Sequence, residues 1–446
     1  MRPPVLPAAA WSPGLTAVDL DGQPTPRPDP VADPPAKAPA PTSISQAALI
    51  IQIKAHEAFV GRQAGGARLI LRLLNLAGLN FYGRNLAEAD FTGSDMSGCE
   101  LSGVRADNAQ FFGTILVGAR LAGASLVRAD MRGAVLSGAD LSGANLEGAD
   151  LRPGKVATQS KDGFTVGNRA QRRATVADNA NLRGANLNRA NLDEASAHAA
   201  DFSDCTLRGA RLVGANMKSA NLIGAMLEGA DLAKVNLRDA DLSSAVVTGT
   251  SFAGALMEGA ELRGMVRDPT AEALARRGEL REALAGHQVW CLTNGKQGSA
   301  AVLDGADLRI VGDILKSAQL TGLQAKGACL IGLDLQGANL QVANLEGADL
   351  RMVNLGAADL RGARLAGTNL VNSNLRGACL ADFKVGDRVA ARTDLTGTML
   401  RFADCRDVDV SAEQLMAADT HNATFSTPIA PPASWPPAAD PSPTDD

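Results

Sequence analysis

Every fifth residue from Leu76 to Leu151 is Leu, Phe or Met, with Ala106 as the exception. The period resumes at Leu182 and runs to Leu262, with Ala197 and Val247 as weaker members, then returns at Leu303 and Leu308. It shifts by two and continues from Leu315 to Leu380 and through Leu395 and Leu400. Around the large residue the unit is Ala-(Asp/Asn)-Leu-x-Gly, as in Ala139-Asp140-Leu141-Ser142-Gly143. A helix cannot use this period. At about 100° per residue the leucines would smear around its surface, and each Gly would cost up to about 1 kcal/mol. In extended backbone side chains alternate, so the Ala and the Leu two residues later point inward while the Asp or Asn between them points out. The remaining two residues turn a corner, where Gly permits a tight bend. Repeated, a three-residue strand and a two-residue corner wind the chain into a coil, and stacked coils bury together what none could bury alone.

The number of sides is also readable. In the first array the corner is Gly in 12 of 15 repeats, and the exceptions, Glu88, Asn108 and Arg128, are spaced 20 apart. Twenty residues make four sides, which places Phe91 directly over Phe111 on the adjacent coil. With this unit over about two thirds of its length, the sequence resembles the pentapeptide-repeat family, whose mostly bacterial members are built on a right-handed quadrilateral β-helix. The resemblance implies an all-β solenoid here, in two arrays with short helical caps. It leaves function open, since known roles in the family are dissimilar.

Proline sets the boundaries. Of 21 prolines, twelve lie within residues 1 to 41 and seven within 428 to 446; the other two, Pro153 and Pro269, fall where the period breaks. Residues 1–42 and 426–446 therefore read as disordered Pro-rich tails. Residues 43–75 read as a helical cap and first strands, 76–262 as the first solenoid, 263–302 as a linker with a second helical cap, and 303–425 as the second solenoid with a C-terminal cap. The first cap helix is expected over 44–60 with a Ser start signal. The second is expected to use Asp268 as N-cap and Pro269 as its first helical residue, and to begin an independent unit. Both helices share His-x-x-(Phe/Trp), at His56 and His287, before a Gly-containing stretch and the repeats; this resembles the N-terminal cap segment of many family members. Near the other end, Ser411-Ala412-Glu413-Gln414 forms a capping box, with Ala423-Thr424-Phe425 as a last strand. The break at 152–176 differs: Val156 to Lys161 and Phe164 to Val166 flank Asp162-Gly163, a two-residue hairpin signal. Excising it by joining Leu151 to Ala177 is expected to leave the ladder intact.

With 43 Lys+Arg against 48 Asp+Glu, the chain lacks the basic surface of a general nucleic-acid or anionic-membrane binder. Six cysteines lie far apart with no C-x-x-C pair, so neither a zinc site nor a disulfide framework is expected. A reducing cytoplasm fits, and no run is long enough to span a membrane. Cys99 and Cys205 are expected to replace inward Ala, and Cys329 and Cys379 to lie on opposite faces. His56 and His287 read as cap residues bonded to the first coil of each array. No catalytic, cofactor or metal pattern stands out from the repeat, so the expectation is a non-enzyme without cofactor. Two sets of residues are candidate contacts. Arg152, Lys155, Lys161, Arg169, Arg172 and Arg173 make the 152–176 break the most basic stretch of the chain, suited to an acidic partner. Asp90, Asp130 and Asp150, with Asp201 and Asp241, are outward acidic positions. The first function reading is a protein-interaction scaffold with flat faces. The alternative is a DNA mimic acting on DNA gyrase or topoisomerase, a role that the family resemblance supplies. A protein partner is expected, nucleic acid and membrane are not, and a homo-oligomer is left open.

Overall fold

The structure is a computed structural model that describes residues 43–155, 157–160, 163–166 and 172–426, with no side chains between 155 and 172. The expected tails, and Lys161 and Arg169, lie outside the described residues. The backbone pairs almost wholly through single-residue parallel bridges between positions 20 apart. One column is Ile70–Asp90–Gln110–Asp130–Asp150, and another is Asn80–Glu100–Arg120–Asp140. Each side of a coil is thus too short to count as a regular strand. Two hydrogen bonds fasten it: Leu121 N donates to Asp140 O at 2.6 Å and Asp140 N donates to Ala119 O at 2.9 Å. Inward Leu and Ala fill the interior; Leu121, Ala119, Leu141 and Ala139 are all fully buried. Phe91 and Phe111 stack with centroids 5.2 Å apart, as the 20-residue spacing requires. The corners are left-handed. Gly143 has φ +62°, and Glu88, Asn108 and Arg128 adopt +64°, +56° and +55°, each at a cost of about 1–2 kcal/mol for an L-residue.

The first stack runs from Leu69 to Val266, slightly beyond the expected range. At its start lies α1 (Gln46–Val60), with Ser45 accepting from Ala48 N and with Leu49 and Ile53 buried in the stack's core. After the last coil come α2 (Ala271–Ala275) and α3 (Arg277–Leu292). The N-cap here is Thr270, which accepts from Ala273 N, rather than Asp268. The Asp268 carboxylate instead accepts from Gly249 N and finishes the last coil. Leu280 and Leu284 of α3 enter the core of the second stack, which extends from Val302 to Thr424. Its two-residue shift is absorbed by a 3-10 turn at Leu308–Ile314, and Asp307 bridges Cys329, 22 positions on. At the far end α4 (Ala412–Leu415) carries the Ser411/Gln414 capping box and buries Leu415.

Two coils are interrupted by hairpins. In the first stack, β1 (Gly154–Lys155) pairs with β4 (Arg172–Arg173), and β2 (Ala157–Ser160) with β3 (Gly163–Val166). Ser160 pairs with Gly163, so Gly163 belongs to a strand and not to the two-residue turn expected at Asp162-Gly163. Val135 bridges Val176, 41 positions on instead of 20; the insertion is 21 residues. Joining Leu151 to Ala177 would remove 25, shortening the coil by four, so that excision does not preserve the ladder. A second hairpin, β5 (Phe383–Val385) with β6 (Arg388–Ala391), was not expected; Arg364 bridges Asp394 across 30 positions. Both insertions close with the same latch. Thr175 Oγ1 accepts from Gly133 N and donates to Arg152 O, and Thr393 Oγ1 accepts from Gly362 N and donates to Ala381 O, all at 2.8 Å.

Candidate interaction surfaces

The two stacks lie side by side and antiparallel. Arg309 of the second stack reaches Arg267 O, Arg351 reaches Ser244 O, Asn372 and Arg401 reach Asp204, and Phe402 sits on Gly184. As numbers rise along one stack, they fall along the other. Met226, Val246 and Ile331 form a small buried cluster near the turn-around, with Cys329 and Met352 against it. Midway, the Asp204 carboxylate is 3.0 Å from Arg401 Nη2 and 3.7 Å from Arg183 Nε, and Asn372 Nδ2 donates to Asp204 O at 2.7 Å. Burial raises the Asp204 carboxyl pKa above its ordinary value, against the pull of Arg401, Arg183 and Arg351. Arg351 is almost fully buried, and pairs with Asp349 while donating to Ser244 O. Further along, the Phe402 ring occupies the space above Gly184, where an added Cβ would lie 2.1 Å from a ring carbon. A groove of about 390 Å³ continues this line between Gly143, Phe402 and Asn422.

This seam was missed in the sequence, although a signal existed. The outward position that the repeat fills with Asp or Asn holds Met226, Val246 and Val266 in successive coils of one column. Apolar outward residues stacked in this way need a covering surface.

On the remaining faces the outward polar residues are fixed. The Asp140 carboxylate accepts from Ser142 N at 3.0 Å, closing its own corner, and from Asn181 Nδ2 of the next coil at 2.9 Å. Similar links join Asn186 to Asn145, Asn236 to Asn216 and Asn374 to Asn354. This local bond to the amide two residues on explains why Asp and Asn fill the position.

The acidic candidates occupy two opposite columns. Asp90, Asp130 and Asp150 share one, and Asp201 and Asp241 continue the Asp140 column, two sides away. Arginines neutralise the first: Arg72 on Asp90 at 2.5 Å, Arg132 on Asp130 at 2.7 Å and Arg152 on Asp150 at 2.7 Å. Burial works to raise the Asp90 and Asp150 carboxyl pKa values, but the arginine and amide hydrogen bonds hold both below the ordinary value. Asp201 and Asp241 accept from the amides of Ser203 and Ser243 and flank the seam. Of the basic candidates, Lys155 pairs with Arg172 across β1 and β4, Arg173 is exposed, and Arg152 is held on Asp150. The latch glycines Gly133 and Gly362 stand ten residues, two sides, from the seam corners Gly143 and Asn372, so both hairpins leave from the outer corners.

His56 Nδ1 accepts from Leu69 N at 3.0 Å and His287 Nδ1 from Ala301 N at 3.1 Å. Phe59 and Trp290 stack on the two imidazoles, each at 22°. Burial lowers both histidine pKa values. Cys99 and Cys205 are buried among inward residues, Cys329 and Cys379 lie on opposite columns, and all six cysteines are free. Among the described residues no group of His, Cys, Asp and Glu could hold a metal ion, and no helix is long and apolar enough to cross a membrane.

The family model for pentapeptide repeats matches residues 75–113, 114–152, 174–209, 200–239, 236–265, 318–355 and 354–382, more than half of the chain. The chain belongs to the pentapeptide-repeat family. Its solved relatives include the pentapeptide-repeat protein Rfr23 from the cyanobacterium Cyanothece 51142, at 28 % identity over 31 % of this chain and 91 % of that one, with a TM-score of 0.23. HetL from Nostoc sp. strain PCC 7120, a pentapeptide-repeat protein involved in heterocyst differentiation regulation, matches at 22 % identity over 74 % of this chain and 96 % of its own, TM-score 0.18. QnrB1, a plasmid-mediated fluoroquinolone resistance protein, matches at 22 % identity over 48 % of this chain and 96 % of its own, TM-score 0.27. No curated protein matches this pentapeptide-repeat chain.

Proposed function

We propose that this protein is a non-enzymatic, protein-binding scaffold of the bacterial cytoplasm: two right-handed quadrilateral β-helices, 76–262 and 303–425, capped by α1 and α3 and folded back on one another. The observation that carries the reading is the hydrogen-bonded locking of outward side chains from coil to coil, as in Asn181 on Asp140. Such locking presents polar groups at fixed spacing with little ordering entropy left to lose on binding. The basic stretch from Arg152 to Arg173, on an outer corner, is the proposed contact for an acidic protein partner. The free cysteines suit a reducing compartment. DNA mimicry is supported less, because Arg72, Arg132 and Arg152 interrupt the acidic column that would stand in for phosphates. The test is partner capture from host lysate by the full chain and by charge-reversed variants of single faces. Capture should fall for variants of one face and for Arg152→Glu with Arg173→Glu, and should weaken with salt. Capture indifferent to every face and to ionic strength would overturn the scaffold. Inhibition of a gyrase supercoiling reaction by the full chain would favour the alternative.

A further inference from the structure

Among the described columns of outward residues, two hold aliphatic side chains in three successive coils. One is the seam column, with Met226, Val246 and Val266; the other is Ile115, Val135 and Val176, also joined by parallel bridges. They differ in cover. Met226 and Val246 are buried with Ile331 of the second stack, and Cys329 and Met352 pack against them. Ile115, Val135 and Val176 are partly exposed and enter none of the apolar clusters of the described residues. Val117, on the same side as Ile115, is 41 % exposed. The second stack lies elsewhere: Val135 stands ten residues, two sides, from Asn145, which belongs to the seam column. The stripe also has a basic border. Val176 directly follows Thr175, the latch of the first hairpin. At the same corner a Cβ on Gly154 would lie 3.0 Å from the Phe112 ring, and the Arg132 guanidinium stands over that ring at 5.5 Å.

We infer that the stripe of Ile115, Val117, Val135 and Val176 is the centre of a docking face for a separate protein, one that offers a flat aliphatic strand face with carboxylates beside it. The inference rests on the scaffold reading above and says where on the scaffold the acidic partner lands. The seam carries the aliphatic half of the argument. In the same molecule, outward aliphatics in successive coils are covered by Ile331 and Met352, which stand on the side of another coil stack. Charge complementarity carries the other half. From Arg152 to Arg173 the insertion at the stripe's edge has six basic residues and one acid, and Arg173 is exposed. The apolar centre, desolvated on contact, holds the partner, and the basic rim steers an acidic one toward it. At ~4.8 Å per coil the stripe spans about 10 Å, so it forms the core of the interface, with the hairpin and neighbouring polar residues as its rim.

Photo-crosslinking of the full chain in its native host is the first measurement, with p-benzoylphenylalanine in place of Ser137, which follows Val135 on the same side. The same probe in place of Ser102, on the next side, is the control. The Ser137 probe should give one dominant adduct with an acidic protein, mapped by mass spectrometry to a segment of alternating aliphatic residues flanked by Asp or Glu; the Ser102 probe should not. The second measurement uses that protein, purified, and variants that the repeat itself suggests. Asn fills this kind of position at Asn145 and Asn186, so Ile115→Asn with Val135→Asn should melt no lower than the parent. It should nonetheless bind at least tenfold more weakly at every salt concentration, while Arg173→Glu should slow association and flatten its salt dependence. An adduct with the same chain, with a second copy or with a polar or basic segment overturns the proposal, as does the absence of any adduct. A double Asn variant that melts far below the parent, or that binds as tightly, overturns it too. If tight binding persists there but is lost on charge reversal of another face, the scaffold reading stands and this face alone falls.

Discussion

His56 and His287 hold the same bond for the same reason. Each accepts a backbone amide through Nδ1, which a protonated imidazole cannot do. Burial is the main cause of both lowered pKa values; for His56 the Arg68 charge adds to it, while Glu57 and Glu88 act the other way. A group whose folded pKa lies below its unfolded value of 6.5 binds its proton better when unfolded. The stability it contributes is complete above pH 6.5 and declines as pH falls toward and through the folded pKa. The melting temperature should thus be level above that pH and drop below it. His56→Gln, whose oxygen can accept the Leu69 amide without titrating, should flatten part of the drop; an unchanged profile would remove the histidine from the account. Leu222, fully buried in the first core, gives a cleaner test of the inward column. Leu222→Asp should cost more than about 3 kcal/mol, because it leaves a buried carboxylate without a partner. An unmoved urea midpoint would place Leu222 on the surface.

At the scale of elements, the inward period was fully legible, and so were the corner positions at Glu88, Asn108 and Arg128 and the first helix to within two residues of its start. These depend on residues within one coil or one turn. The start of the second helix was misplaced because Asp268 and Thr270 are both good N-caps two residues apart, and only the last coil's need for a partner at Gly249 N decides between them. The hairpin at 383–391 went unnoticed because the pattern lost two repeats and came back in phase: its 10 extra residues are a multiple of five. The seam was hidden for another reason. Which outward column meets which is a relation between distant coils, marked by a few substitutions such as Met226 and Val246. A pair of glycines tests the seam directly. Gly103 and Gly184 have φ +63° and +65°, but nothing lies near a Cβ at Gly103, while one at Gly184 strikes Phe402. Both Gly→Ala changes should lose about 1–2 kcal/mol to the left-handed backbone. Only Gly184→Ala should also enlarge the radius of gyration in solution scattering, as the stacks part. Equal behaviour of the two would mean that Phe402 does not join them.

Residues 43–426 form one coil pattern folded back along itself, and the seam makes its halves depend on each other. A fragment beginning at Asp268 would uncover Ile331, which is 5 % exposed in the intact chain and packs with Met226 and Val246 of the first stack. It should self-associate during size-exclusion chromatography, whereas the full chain, whose seam is covered, should not do so through this surface. A fragment that stays monomeric at high concentration would show that the seam contributes little. Excising residues 154–174, so that Pro153 joins Thr175, removes the 21 inserted residues and keeps the latch. This variant should melt within a few degrees of the parent, while the longer Leu151-to-Ala177 deletion should melt far lower; the reverse order would contradict the coil count. The two latches carry a broader consequence. Insertions of 21 and 10 residues leave the coils on either side in register, each closed by one threonine hydroxyl that bonds across the gap. Such a corner works as a graft socket: foreign loops of differing length, including recognition peptides or epitopes, should be accepted between Pro153 and Thr175 or between Asp382 and Thr393, displayed on a rod whose frame takes no notice of what it carries.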